Sequence, residues 1–210
     1  MTSSKAILEI FLKEMPSPRC ELIYETPFQL LVAVILSAQS TDRQVNICMK
    51  PLIEKGLSCE MLSLMTESEC LEHIRSIGLA KTKAKHIVKT AGLIMANHDG
   101  VVPKLRAELE ALPGVGRKTA SVILGELWNE PTLAVDTHVF RVGKRLRWHQ
   151  ETNPLKAEKA LLTVIPKQYL PKAHHWLVLH GRYVCRARQP KCGECVVRDH
   201  CPSQQNNFPS

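Results

Sequence analysis

The sequence predicts an all-α protein, and three observations carry that prediction. Apolar residues recur at helical spacing along most of the chain. No segment shows sustained alternation over β-branched residues. The helix-like segments are short and separated by Gly, Pro, Ser and Thr, which suits a compact array rather than a coiled coil. The 210 residues suffice for one domain or two small ones, with a core that needs no disulfides. Apolar residues make up 44% and charged residues 23%, ordinary globular usage that excludes wholesale disorder.

The elements follow in order. Ile7, Leu8, Phe11 and Leu12 share one helix face, and charges at Lys5, Glu9, Lys13 and Glu14 make this an amphipathic helix rather than a signal peptide. Phe28 to Ser40 is apolar nearly all round and reads as a central buried helix. Its apolar run, Leu30 to Leu36, is far short of the roughly 20 residues a membrane span needs. Asp42 is placed to cap the next helix, which Pro51 kinks or ends. Short helices follow around Cys59–Met65 and Ser68–Ser76, then a long one over Lys81–Asn97 with Lys81, Lys85 and Lys89 on one stripe. A helix starts near Arg117 and another at Thr137, and the polar tail after Cys201 is expected to be loose.

Charge is concentrated. Residues 1–80 carry 7 Lys+Arg against 10 Asp+Glu, and residues 81–210 carry 21 against 10, for a net +8. A localised basic surplus is the footprint of a polyanion binder, although a solvated basic surface has the same composition. Aromatics, at 5%, are too few for an open base-stacking platform. Of eight cysteines, Cys20, Cys48, Cys59 and Cys70 are scattered and read as buried thiols. Cys185, Cys192, Cys195 and Cys201 crowd into 17 residues and read as a metal site, either zinc or an iron–sulfur cluster.

Two strings carry chemistry. In 112–127, LPGVGRKTASVILGEL, a tight glycine turn leads into a helix whose first N–H groups are unpaired and whose dipole is positive there. That is a phosphate-binding device, and the full LPGVGRKTA string matches a helix-hairpin-helix, which grips the backbone of one DNA strand. In 133–142, LAVDTHVFRV, Asp136 is a natural N-cap and remains available as a carboxylate facing a cationic centre.

LPGVGRKTA followed by VDTHVFRV resembles the helix-hairpin-helix–Gly-Pro-Asp superfamily of DNA glycosylases. LLVAVILSAQSTD at 30–42, IGLAKTKA at 77–84, HHWLVLHGRYVC at 174–185 and the Cys-x6-Cys-x2-Cys-x5-Cys spacing are similar to the endonuclease III family, from about residue 5 to 201. The resemblance implies two helical lobes with a DNA-binding cleft between them: a six-helix bundle over 20–130, and a domain of 1–19 plus 131–210 that carries a 4Fe–4S cluster. Lys118 and Asp136 would face each other at the cleft mouth. It implies base-excision repair of oxidised pyrimidines flipped out of duplex DNA. Lys118 would attack the sugar C1′, form a Schiff base and cut 3′ to the abasic site by β-elimination. A free lysine amine is mostly protonated at neutral pH, so desolvation, the positive helix end and Arg117 would have to favour its neutral form. Asp136 would stabilise positive charge on the sugar.

The same resemblance assigns DNA contacts. Leu112, Gly114, Val115, Gly116 and Arg117 form the hairpin; Gln39 and Leu79 would fill the space left by the flipped nucleotide. For Leu79 ordinary core packing is the alternative. His138 is an active-site neighbour, a phosphate contact or a packing residue, and His174, His175 and His180 support the cluster domain. Cys185, Cys192, Cys195 and Cys201 would hold the cluster, with Arg186, Arg188 and Lys191 projecting onto phosphates. The expected partner is double-stranded DNA containing damaged pyrimidines or abasic sites, met by a monomer in the cytoplasm at the nucleoid, with no membrane involved. Two alternatives stand beside this reading: a monofunctional adenine or thymine mismatch glycosylase of the superfamily, and a non-catalytic DNA-binding module with zinc.

Overall fold

The computed structural model describes residues 4–203, so residues 204–210 of the expected loose tail lie outside the described residues. The described residues form eleven α-helices and no strand: α1 Ser4–Glu14, α2 Pro27–Ser37, α3 Asp42–Glu54, α4 Cys59–Leu64, α5 Glu67–Ile74, α6 Ala80–His98, α7 Arg106–Glu110, α8 Arg117–Trp128, α9 Thr137–Arg145, α10 Pro154–Val164 and α11 Leu170–Tyr183. None is long and apolar enough to cross a membrane. The chain divides into two compact units, one over Cys20–Trp128 and one that joins the segment ending at Arg19 to the segment from Asn129 onward.

In the unit Cys20–Trp128, every residue of α2 from Phe28 to Leu36 is buried. A helix apolar on all sides is stable only when neighbours cover each side, and α3, α6 and α8 pack on it. Its one polar core residue is satisfied: Gln29 Nε2 donates to Leu57 O at 3.1 Å and Oε1 accepts from Glu25 N at 2.7 Å. Starts are fixed locally. Thr26 caps α2 with Pro27 at its first position, Ser58 caps α4, and Thr66 with Glu69 forms a capping box on α5. Three expectations need correction. The cap of α3 is Thr41, whose hydroxyl accepts from Gln44 N at 3.2 Å, and Asp42 is the first helical residue. Pro51 lies inside α3 rather than ending it. The central helix stops at Ser37, three residues short of the expected Ser40, and the carbonyls of Leu36 and Ala38 at its end accept from the Lys83 ammonium. The bundle also has seven helices rather than about six, the extra one being the five-residue α7.

In the other unit, Ile7, Leu8 and Phe11 of α1 bury against Trp176, Leu177 and their neighbours on α11. Phe11 stacks on Trp176 at 6.2 Å between centroids, and the indole Nε1 donates to Met15 O at 2.8 Å. Helices α9 and α11 pack closely. A Cβ at Gly181 would stand 2.9 Å from His138 Cβ, so only glycine permits that approach.

Candidate active site

Helices α7 and α8 and the turn between them make the hairpin. Gly114 has φ +80°, and a Cβ there would lie 3.0 Å from Ile35 Cγ2 and 3.1 Å from His86 Nδ1. Thr90 Oγ1 donates to Pro113 O at 2.9 Å and pins the turn on α6. Leu112 and Val115 face inward and are buried, and each amide donates to a carbonyl three residues back. Their side chains shape the turn from within the bundle. Gly116, Arg117 and Lys118 are exposed, and Lys118 stands second in α8, on the first turn.

Asp136 caps α9 as its sequence predicts. Oδ1 accepts from His138 N and Val139 N, both at 2.8 Å, while Oδ2 lies 3.0 Å from His138 Nδ1. His138 is therefore the partner of the carboxylate. Asp136 retains 16% side-chain exposure, enough for one face to meet a ligand.

Gln39 and Leu79 share an unusual state. Both are exposed and both hold left-handed backbone, with φ 55° and 60°. Leu79, at 58% exposure, is no core residue. Non-glycine residues adopt this conformation only where the surroundings enforce it.

Cys185, Cys192, Cys195 and Cys201 line one cavity together with His180, Val197, Arg145 and Lys191. Burial, joined by the neighbouring thiols of Cys201, Cys185 and Cys192, pushes the Cys195 thiol up to about 11 against a weaker opposing bond from Val197. Four thiolates that repel one another need positive charge among them, so the donor set fits a cationic group. Four cysteine thiolates are the ligand set of an iron–sulfur cluster. Arg186 and Arg188 are exposed beside this cavity, whereas Lys191 Nζ is engaged by Glu194 at 3.0 Å. His180 is buried against the loop, 3.6 Å from Cys195 Sγ, and burial lowers it to about 4.

Sequence reasoning missed the two arginines that hold this loop. Arg145 Nη1 donates to Cys185 Sγ at 3.3 Å, Cys185 O at 3.3 Å and Arg186 O at 2.6 Å, and Nη2 donates to Ala187 O at 3.1 Å. Arg141 donates to Gly181 O at 2.8 Å and Cys185 O at 3.2 Å, and its guanidinium is held below its ordinary value chiefly by burial. Their signal was the i, i+4 spacing within FRVGKR, which the general basic surplus hid.

One unit carries a helical hairpin closed by a glycine turn and the other an aspartate that caps a helix, features that define a class of helical proteins. The family described as HhH-GPD superfamily base excision DNA repair protein matches residues 32–167, and the iron–sulfur binding domain of endonuclease III matches residues 185–201. Endonuclease III of Rickettsia felis is 48% identical over 93% of this chain and 92% of its own length. That of Escherichia coli is 46% identical over 89% and 88%. A trapped endonuclease III–DNA covalent intermediate superposes with a TM-score of 0.88, at 40% identity, over 98% of both chains. A thermostable thymine-DNA glycosylase shares the fold, with a TM-score of 0.85 at 21% identity. The chain belongs to the endonuclease III branch of the HhH-GPD superfamily of base excision DNA repair proteins. Members of that branch are DNA glycosylases with AP lyase activity and carry a 4Fe–4S cluster, and this protein is one of them.

Proposed function

We propose that this enzyme excises oxidised pyrimidines from double-stranded DNA with Lys118 as nucleophile, then cuts the strand 3′ to the abasic site. The observation that carries this reading is Lys118 itself, exposed on the first turn of α8 directly after the glycine turn. A relative of 40% identity has been trapped as a covalent intermediate with DNA, as a lysine nucleophile requires.

The deprotonated Lys118 amine attacks C1′ of the flipped nucleotide, and the C1′–N bond breaks as the base leaves with the bonding pair and a proton. Opening of the sugar ring gives the Schiff base. Loss of a C2′ proton then expels the 3′ oxygen as phosphate ester, and hydrolysis of the product imine frees the lysine. The amine is open to solvent in the free protein, so the dehydrated surroundings that this attack needs come from the bound duplex. Asp136, fixed by two amide N–H groups and His138, supplies negative charge toward the cationic sugar. Gln39 and Leu79 occupy the gap in the stack. Cys185, Cys192, Cys195 and Cys201 would hold the cluster, which would brace the 185–201 loop, and Arg186 and Arg188 on that loop meet phosphates. On this reading the protein works as a monomer in the cytoplasm, at the nucleoid.

Borohydride trapping on a duplex with one thymine glycol tests the proposal. Wild type is expected to give a covalent protein–DNA adduct, and Lys118→Ala none. Wild type without an adduct on this or any other oxidised pyrimidine overturns the Schiff-base reading and leaves monofunctional excision.

A further inference from the structure

Lys83 is only 4% exposed, and lysine is rarely buried unless paired. Its partners are not carboxylates. The ammonium donates to Leu36 O at 2.7 Å, to Ala38 O and to Ser40 Oγ at 3.1 Å. An ammonium has three N–H bonds, and all three end on residues 36–40. These oxygens belong to the last turn of α2 and the loop after it, where helix carbonyls lack partners and the dipole is negative. Lys83 lies on the first turn of α6, and its own N–H donates to Leu79 O at 3.0 Å. One side chain thus ties the end of α2 to the start of α6.

Other contacts close the same joint. A Cβ at Gly78 would stand 3.1 Å from Gln39 O, so the loop preceding Leu79 lies against the backbone of Gln39. Gln44 Nε2 donates to Ser76 Oγ at 2.6 Å and ties that loop to α3. The two residues bracketed by these contacts, Gln39 and Leu79, are both left-handed and both exposed. Without an outside constraint, such backbone relaxes to ordinary φ.

We propose that Lys83 is a positioning residue whose ammonium clamps α2 to α6 and so presents Gln39 and Leu79 together for insertion into the duplex. The insertion half of this inference rests on the function proposed above; the clamp itself does not. Lys83→Met keeps the aliphatic stem and removes the three donors. In the free variant, amide hydrogen exchange at 38–41 and 79–82 is expected to rise by about tenfold or more, while α1, α9 and α11 exchange as in wild type. Affinity for undamaged duplex stays within about twofold. Single-turnover excision of thymine glycol falls by about tenfold or more, and 2-aminopurine opposite the lesion loses its fluorescence rise. In a background with both Gln39→Ala and Leu79→Ala, Lys83→Met costs no more than about twofold further, because its effect passes through those two side chains.

Unchanged exchange at 38–41 and 79–82 overturns the clamp. A further loss of about tenfold in that double-alanine background shows that Lys83 acts elsewhere and overturns the insertion half. Should wild type excise nothing, the function proposed above fails, and exchange alone decides the clamp. If Lys83→Met does not fold, Lys83→Gln replaces it, leaving a shorter side chain with two N–H donors in place of the ammonium's three; a smaller rise in exchange at 38–41 and 79–82 and a partial loss of 2-aminopurine signal are expected, and their absence refutes the clamp.

Discussion

The glycine turn offers a perturbation that separates folding from binding within three residues. Gly114→Ala meets two obstacles. Left-handed backbone costs an alanine about 1 kcal/mol or more, and the new Cβ sits 3.0 Å from Ile35 Cγ2 with His86 against its other side. Overpacking of this kind typically costs about 1–3 kcal/mol. The two together give about 3 kcal/mol, out of a total stability of about 5–15 kcal/mol. For a chain of this size that lowers the melting midpoint by about 6–12 °C. Gly116→Ala meets neither obstacle: its φ is ordinary and nothing lies within 4 Å of the added methyl. Its midpoint is expected to hold within about 2 °C. The open space at Gly116 is where a phosphate backbone would approach, so the same substitution should weaken binding to a duplex containing a tetrahydrofuran abasic analogue by about tenfold. Circular-dichroism melts and fluorescence anisotropy measure the two effects separately. Equal melting of the two variants, or undiminished affinity in Gly116→Ala, would refute the division of labour.

Further outcomes follow from the same geometry. Asp136→Asn keeps an oxygen acceptor for His138 N and Val139 N, so its melt should match wild type, whereas Asp136→Ala loses the cap, about 1 kcal/mol and about 2–4 °C. Both should abolish excision, and an active Asn variant would remove the need for a carboxylate. Arg145→Leu deletes every donation from that guanidinium to residues 185–187, so the cluster's visible absorbance should bleach several-fold faster with an iron chelator; bleaching at the wild-type rate would show that the arginine does not hold the loop. Arg186→Gln and Arg188→Gln should each flatten the slope of log affinity against log salt by about 0.9. Lys191→Gln should change it less, because Glu194 already engages that ammonium.

Legibility in the sequence tracked the range of each interaction. Asp136 could be read as a cap because its partners lie two and three residues away. Thr41 was within the same reach, yet the neighbouring Asp42 masked it. The end of α2 was not legible at all. Apolar residues persist to the end of the helix, but its last carbonyls are satisfied by Lys83, 47 positions further on from Leu36. Leu79 was ambiguous because an apolar side chain fits a core and a wedge equally; only its left-handed backbone and exposure distinguish them. The four cysteines were legible from spacing, while the arginines that brace their loop were not.

That last omission changes what the net charge means. The basic surplus of residues 81–210 fits either a polyanion footprint or a solvated basic surface. Yet Lys83, Arg141, Arg145 and Lys172 all donate to backbone carbonyls of their own unit. These cations neutralise helix ends and loop carbonyls, and an arginine already bound to three carbonyls gains little by leaving them for a phosphate. The count available to DNA is therefore smaller than composition suggests, and it is concentrated at positions that the structure leaves exposed, such as Lys118, Arg186 and Arg188. The salt dependence of binding should follow that reduced set, because only a cation that reaches a phosphate releases a counterion.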